Sequence, residues 1–402
     1  MAKKQKVKST GRNKAILAAD LHLLKKPGMW AGRAEISGDD IFALKQIAEL
    51  AIEKDADLYL LGDVLDSATN LPRPIVAAQQ ALGTLADEGR VFFIQGQHEL
   101  IVQAHYENHP WLSLIRGTQH IGGASFEFMG CKAFALDYFP AAFEALEFSK
   151  IPADTDILML HGTSDTAMPI APHFSMKSLE KFKNLKIVFA GDYHQPLELV
   201  SPGNVRLFYT GSTWQISANE PREKSVLFVE KSDGVLSINR LPLRTRKILK
   251  LSELYNIDGE LDVSSLTEEP DETLPKELRM PVLLIDVPAD QSLYEELAQN
   301  AHLHTTSSAN PDVVTRENAD SELELSNDQI LQMYADKEAH PEKFAFTLDI
   351  IENSVEPVLK RLKDKFKIEE VDLTIGAESQ TTEINLDHAD PEPGFTEEEL
   401  PF

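Results

Sequence analysis

The stretch Asp57-Leu-Tyr-Leu-Leu-Gly-Asp-Val-Leu-Asp66 decides the fold. Leu58 to Leu61, with Tyr59 among them, is an unbroken apolar run, the pattern of a strand covered on both faces. Gly62 lets the backbone turn sharply where Asp63 leaves the sheet. Asp63 is therefore expected at the C-terminal end of a strand, the edge at which open α/β sheets bind ligands. A Gly-Asp pair standing alone would equally serve as a cap for the next turn or helix.

Asp63 does not stand alone. Upstream, Ala15-Ile-Leu-Ala-Ala-Asp20-Leu-His22 is another apolar run, and it ends in an Asp and a His two residues apart. On an extended backbone, side chains at that spacing point the same way. Downstream, Val91-Phe-Phe-Ile-Gln-Gly96-Gln97-His98-Glu99 is a third run of the kind. The fourth and fifth are Ile157-Leu-Met-Leu-His161-Gly162 and Ile187-Val-Phe-Ala-Gly191-Asp192-Tyr193-His194. Five apolar strands thus each deliver Asp, His or Gln at the exit, and turns and caps alone do not account for all five. The chemistry that asks for such a set is a pair of divalent metals sharing one carboxylate. Two ions about 3.5–4 Å apart clamp the attacking and leaving oxygens of a phosphoryl displacement, and oxygen and imidazole ligands suit Mn²⁺, Fe or Zn²⁺.

The order Asp-x-His, Gly-Asp-x-x-Asp, Gly-x-His-Glu, His-Gly and Gly-x-x-His resembles the calcineurin-like metallophosphoesterase superfamily, over about residues 14 to 246. Within it the chain is most similar to the SbcD-type nucleases of double-strand-break repair and their phage recombination counterparts. Tyr209-Thr-Gly-Ser-Thr213, shortly after the last His, resembles that branch's Pro-Gly-Ser turn. The resemblance implies an α/β fold: a β-sandwich flanked by helices, followed by a small α/β capping domain and C-terminal helices. It implies that Asp20, His22, Asp63 and His194 hold one metal, and that Asp63 bridges to a second held by Gln97, His161 and Asp192. His98 matches the family's non-ligand histidine, which protonates the leaving oxygen or stabilises the phosphoryl transition state.

Two positions depart from the family pattern, which has Asn where this chain has Gln97 and His where it has Asp192. Both changes fall on the second metal. Glutamine keeps the amide oxygen but adds a methylene, and aspartate replaces a neutral ligand by an anion, which favours a hard cation such as Mg²⁺ or Mn²⁺. Both replacements remain able to ligate, so two ions, Mn²⁺ or Mg²⁺, are still expected.

Length and composition bound the rest. The 402 residues suffice for two domains and a tail, and 42 % of them are hydrophobic. No apolar run approaches the ~20 residues of a membrane span, and the N-terminus lacks the apolar core of a signal peptide. The single cysteine, Cys131, excludes an internal disulfide, which fits a reducing, cytoplasmic setting, the host's if the protein is from a phage.

In chain order, residues 1–13 form a basic, flexible start with Lys3, Lys4, Lys6, Lys8 and Arg12. The loop 23–37, with Lys25, Lys26, Trp30 and Arg33, reads either as a wall of the site touching DNA or as an ordinary surface loop. Helices are expected over 40–53, 74–88 and 141–148, and short strands over 124–129 and 132–136. His105, His109 and Trp111 have no place in the metal pattern; His173, in an expected loop over 169–177, is a spare. Strands over 205–210, 225–230 and 234–240 read as an antiparallel edge. The metallophosphoesterase domain would span 14–246, and 247–317 would form the capping domain, with a strand over 281–287 and a helix over 292–298. A helical segment, 318–367, either binds the coiled coil of an SbcC-type ATPase subunit, as the resemblance implies, or packs on its own domain. Residues 368–402 read as an acidic, disordered tail.

A net charge of −26 works against gathering DNA by long-range attraction, because phosphate contacts dominate non-specific affinity. A partner that clamps the duplex would remove that difficulty. Three functions follow. The first is a metal-dependent DNA exo- or endonuclease subunit; the second is a phosphatase or cyclic-nucleotide phosphodiesterase of the same superfamily. The third is a non-catalytic adaptor with an altered metal site. The sequence leaves open whether the chain forms a homodimer.

Overall fold

The computed structural model of the protein describes residues 7, 10–24, 38–67, 72–100, 110–217, 220–256, 259–267, 271–287, 289 and 291–305. Most of the basic start, the loop with Trp30, His105 and His109, the segment 318–367 and the acidic tail therefore lie outside the described residues.

The chain opens with two βα units. Strand β1 (Lys14–Ala18) leads to α1 (Asp39–Glu53), β2 (Asp57–Leu61) leads to α2 (Pro72–Asp87), and β3 (Val91–Ile94) and β4 (Gln119–His120) follow. A hairpin of β5 (Ser125–Phe128) and β6 (Cys131–Ala135) comes next, then α3 (Glu144–Ser149), β7 (Ile157–His161), α4 (Met176–Leu179) and β8 (Ile187–Gly191). Strands β9 (Leu197–Val200), β10 (Arg206–Tyr209), β11 (Lys224–Ser232) and β12 (Val235–Leu243) complete this part. Beyond them lie β13 (Ile248–Lys250), α5 (Ser264–Thr267), β14 (Val282–Ile285), α6 (Gln291–Leu297) and β15 (His302–Thr305).

The first twelve strands make two six-stranded sheets, ordered β12-β11-β1-β2-β3-β4 and β5-β6-β7-β8-β10-β9. In the first, β1 to β4 run parallel, while β11 and β12 form the antiparallel edge. In the second, β6, β7, β8 and β10 run parallel between antiparallel β5 and β9. The expectation that 205–210 is an antiparallel edge strand is corrected: β10 pairs parallel with β8, and β9 takes the edge. Strand β9 is four residues long and alternates half-buried with exposed positions, a signal too short to stand out in sequence.

The unbroken apolar runs are explained by burial on both faces. Alternate residues Tyr59, Leu61, Leu17, Phe92 and Ile94 meet Met159, Phe189 and Phe208 of the other sheet between the layers. Their neighbours Ile16, Leu58, Leu60 and Phe93 face α1 and α2 through Leu44, Ile47, Leu82 and Leu85. On the far side Leu158, Leu160, Val188 and Leu207 pack with Phe148, Phe174 and Leu179. The architecture is a β-sandwich flanked by helices, as expected. Parallel strands end together, so the exits of β1, β2 and β3 share one edge, and those of β7 and β8 share the facing edge.

The third sheet, β13-β14-β15, is all parallel and has its own core of Leu249, Leu251, Leu283, Ile285, Leu297 and Leu303. No helix among the described residues is long and apolar enough to cross a membrane.

Candidate metal centre

At these strand exits the backbone turns abruptly. Asp20, His22, Asp63 and Asp192 have φ of 54°, 44°, 48° and 86°, a region non-glycine residues rarely adopt. The expected extended run from Asp20 to His22 is thereby corrected: β1 ends at Ala18, and both side chains are turned into the site by left-handed residues instead. The turn after β3 passes so close that a Cβ at Gly96 would lie 2.1 Å from Asp63 Oδ1. Only glycine fits there.

Asp20, His22, Asp63 and His161 are buried and meet at the centre. Three sets of ligand atoms lie within 4.8 Å of one another: Asp20 with His22 and His194, Asp20 with Asp63 and His161, and His22 with Asp63 and His98. His161 Nε2 is 3.3 Å and His22 Nε2 3.8 Å from Asp63 Oδ2. His194 Nε2 is 3.9 Å from Asp20 Oδ1, and His161 Nε2 is 3.8 Å from Asp192 Oδ1.

The three imidazoles share one orientation. His161 Nδ1 donates to Leu61 O at 2.7 Å, His22 Nδ1 faces Asp66 Oδ1 at 3.2 Å, and His194 Nδ1 faces Glu220 Oε1 at 2.8 Å. An outer partner that takes the Nδ1 proton leaves Nε2 as a lone pair, as in metal-binding histidines. Here Nε2 of each ring points to the carboxylates, and His22 Nε2 and His161 Nε2 are buried with no hydrogen-bond partner among the described residues. Buried polar atoms are rarely left so, and a cation among the carboxylates would satisfy them. The residues fit a metal.

The protonation pattern agrees. Burial, with Asp63 and Asp192 beside it, pushes Asp20 up to about 7 despite His161 and His194. Burial would also raise Asp63, but His161, His22 and His98 outweigh it and hold Asp63 low. Burial would lower His161, but Asp63, Asp20 and Asp192 hold it well above its ordinary value. Burial takes His22 down to about 4, so that ring is neutral. The positive charge of His161 beside Asp63 thus stands where a cation would suit.

His98 sits at the rim, 40 % exposed. Its N–H donates to Asp63 Oδ1 at 2.8 Å, and its ring Nδ1 lies 3.0 Å from Asp66 O. Gln97, in the same turn, is exposed, and its side chain makes no hydrogen bond among the described residues. The structure thus brings Asp20, His22, Asp63, His98, His161, Asp192 and His194 together and leaves Gln97 at the surface.

Several residues in this network had no assigned part in the sequence reading. Glu99 accepts from Gly96, Val64 and Leu65 N–H at 2.7, 2.9 and 3.1 Å and so fixes the turn carrying Gln97 and His98 to that carrying Asp63. Glu220 holds His194 and is itself held by Ser212 Oγ and the buried Lys224 Nζ, each at 2.8 Å. Asp66 is part of the Gly-Asp-x-x-Asp signature; for Glu220 and Lys224 the sequence carries no signal.

No protein-family model matches the chain. Over 296 residues it is 26 % identical to the DNA double-strand break repair protein Mre11 of Methanosarcina mazei, a match covering 68 % of this chain and 45 % of that protein. The chain therefore spans less than half of that relative's length. Solved structures that superpose on it include a dimetal phosphatase from Danio rerio, at 11 % identity over 56 % of this chain and 95 % of that one, with a TM-score of 0.36. Another is a conserved uncharacterized protein from Streptococcus pneumoniae TIGR4, at 12 % identity over 57 % of this chain and 89 % of that one, with a TM-score of 0.30. With its five ligand-bearing strand ends in the same order, and with this match in sequence, the chain resembles the calcineurin-like metallophosphoesterases and, among them, the double-strand-break repair nucleases.

Proposed function

We propose that the chain is a metal-dependent DNA exo- or endonuclease subunit that hydrolyses phosphodiester bonds in recombination or repair, working with an SbcC-type coiled-coil ATPase. What carries the reading is the set of three imidazoles, each anchored at Nδ1 and turned with Nε2 toward Asp20, Asp63 or both. The similarity to a DNA double-strand break repair protein supports DNA as the substrate.

In this reading Asp20, His22, Asp63 and His194 hold one divalent ion, and Asp63, His161, Asp192 and Gln97 hold the second. Mn²⁺ suits this mixture of carboxylate and imidazole, and Mg²⁺ is the alternative. When bound, the ions supply charge neutralisation at the phosphate and a water made nucleophilic at neutral pH. The chain supplies orientation and a proton. Asp63 is fixed from two sides, by the His98 N–H and by His161, so it cannot swing away. His98, held at Nδ1 by Asp66 O, keeps Nε2 available at the rim for the oxygen that leaves. Residues 14–246 form the nuclease domain and 247–317 the cap, a division supported by the separate core of the third sheet. The segment 318–367 is assigned to the partner and 368–402 to the tail.

The exposure of Gln97 favours one other reading, a non-catalytic adaptor whose second ion is lost. Mn²⁺-dependent degradation of end-labelled linear duplex and single-stranded DNA, with bis-p-nitrophenyl phosphate in parallel, separates the two. His98→Ala should slow DNA cleavage by about 10²- to 10⁴-fold while leaving metal binding intact. Hydrolysis of the small ester alone would sink the nuclease reading in favour of a phosphodiesterase; no cleavage of either, even with the ATPase present, leaves the adaptor.

A further inference from the structure

Lys224 is a buried cation to which the reaction proposed above gives no task. It opens β11 with its side chain fully buried, and Nζ donates to Glu220 Oε2 at 2.8 Å and to Ser212 Oγ at 2.7 Å. A buried ammonium is costly unless it is paired and hydrogen-bonded, and these two contacts meet that need. The same oxygen of Glu220 also accepts from Ile216 N–H at 3.1 Å and from Ser212 Oγ at 2.8 Å. Oε2 is thus surrounded by donors, while Oε1 faces His194 Nδ1 at 2.8 Å.

The direction of these bonds follows from the groups that make them. An ammonium and a backbone N–H only donate. Ser212 Oγ accepts from Lys224, and Glu220 is the nearest of its own acceptors, at 2.8 Å against 3.2 Å to Trp214 O and 3.4 Å to His194 O. A carboxylate only accepts, so the proton between Oε1 and His194 belongs to Nδ1. Nε2, 3.9 Å from Asp20 Oδ1, is left with its lone pair. Ser212 N also donates to His194 O at 3.0 Å, which ties the turn supplying the donors to the backbone of the imidazole they govern. An amide at position 220 would reverse the order. Its oxygen would take the place among the donors, its NH₂ would face Nδ1, and the imidazole would carry its proton on Nε2, the nitrogen a cation needs.

Resting on the metal-dependent reading above, we propose that Lys224 and Glu220 are positioning residues for the first ion. Lys224, with Ser212 and the Ile216 N–H, holds Glu220 as an acceptor aimed at Nδ1, and Glu220 fixes the tautomer in which His194 presents Nε2. Both act through His194.

The test reads the tautomer without metal and the ion with it, on the full chain, with far-UV circular dichroism as the check on folding. Nitrogen NMR of isotope-labelled histidine, under alkaline conditions that leave the ring neutral and with His194→Gln to identify the signal, should show Nδ1–H in wild type and Nε2–H in Glu220→Gln. Equilibrium dialysis should find the first Mn²⁺ bound about 10- to 100-fold more weakly by Glu220→Gln. Lys224→Met should weaken the same ion about tenfold. Loss of a nearby positive charge would by itself tighten a cation, so weaker binding reports positioning. If Glu220→Gln unfolds because Lys224 is left without its counter-charge, the double variant Glu220→Gln with Lys224→Met decides. Ile216 N–H still holds the amide oxygen there, and the same reversal is expected. An unreversed tautomer in the folded amide variant overturns the proposal, as does Mn²⁺ bound by Lys224→Met as tightly as by wild type or more so. A wild-type chain that binds no Mn²⁺ removes the metal-dependent reading and this proposal together. Mn²⁺ on the wild-type chain with an unreversed tautomer in the variant removes this proposal alone.

Discussion

Asp20 shows what it costs to bury a carboxylate beside two others. Its left-handed backbone is sparsely populated, at about 1–3 kcal/mol, and its carboxyl is pushed up to about 7 by burial and by its acidic neighbours. Raised from 3.8, it takes up a proton on folding, so its destabilising contribution is absent below about pH 4 and complete above about pH 7. A metal needs the anion. Below pH 7 the proton competes at Asp20, and His161 and His194, both raised, compete in the same sense. Mn²⁺ affinity should therefore fall about tenfold per pH unit for each proton displaced as pH drops below 7. Titration calorimetry at pH 6 and pH 8, in buffers of different ionisation enthalpy, reads both the affinity and the protons released; an affinity equal at the two pH values would contradict the assignment.

Among the elements, the turn after β10 has the widest reach. Trp214 is buried with Ala43 of α1, Ile216, Ile248 of β13, and Val282 and Leu284 of β14, and its Nε1 donates to Leu21 O at 2.6 Å. One side chain thus joins a helix, the third sheet and the backbone between Asp20 and His22. Trp214→Ala should cost about 3–5 kcal/mol and weaken the first ion as well. Trp214→Phe keeps the apolar body and loses the donor, which should cost about 1–3 kcal/mol. Urea denaturation with and without Mn²⁺ reads both effects. If Trp214→Ala lowered stability while leaving the metal increment unchanged, the link from this turn to Asp20 and His22 would be refuted.

At the scale of the whole molecule, charge would set the terms on which the proposed nuclease binds DNA. The chain carries a net −26, and eleven of its 65 acidic residues fall in 369–402, which holds no Lys or Arg. Repulsion of this kind is long-ranged at low salt and screened beyond about 8 Å at physiological ionic strength. A chain ending at residue 368 should bind linear duplex DNA more tightly than the full chain at low salt, with the difference fading as salt rises. Fluorescence anisotropy across a salt series measures this; equal affinities at low salt would exclude the tail as a source of repulsion.

The sequence by itself determined the strands and the residues at their exits. A continuous apolar run reports burial on both faces, and an Asp or His at its end, beside a Gly at Asp63, His161 and Asp192, reports a turn at the sheet edge, so these residues and Asp20 were legible from local pattern. It misplaced what depends on pairing: β9 was too short to register, β10 was read as antiparallel, and Asp20 and His22 were read on extended backbone. Tertiary structure alone decided the outer partners. Glu220 reaches His194 across 26 positions, and Asp66 reaches His22 across 44. Nothing local marks such pairs, because they form only where the sandwich brings the ends of separate strands to one place.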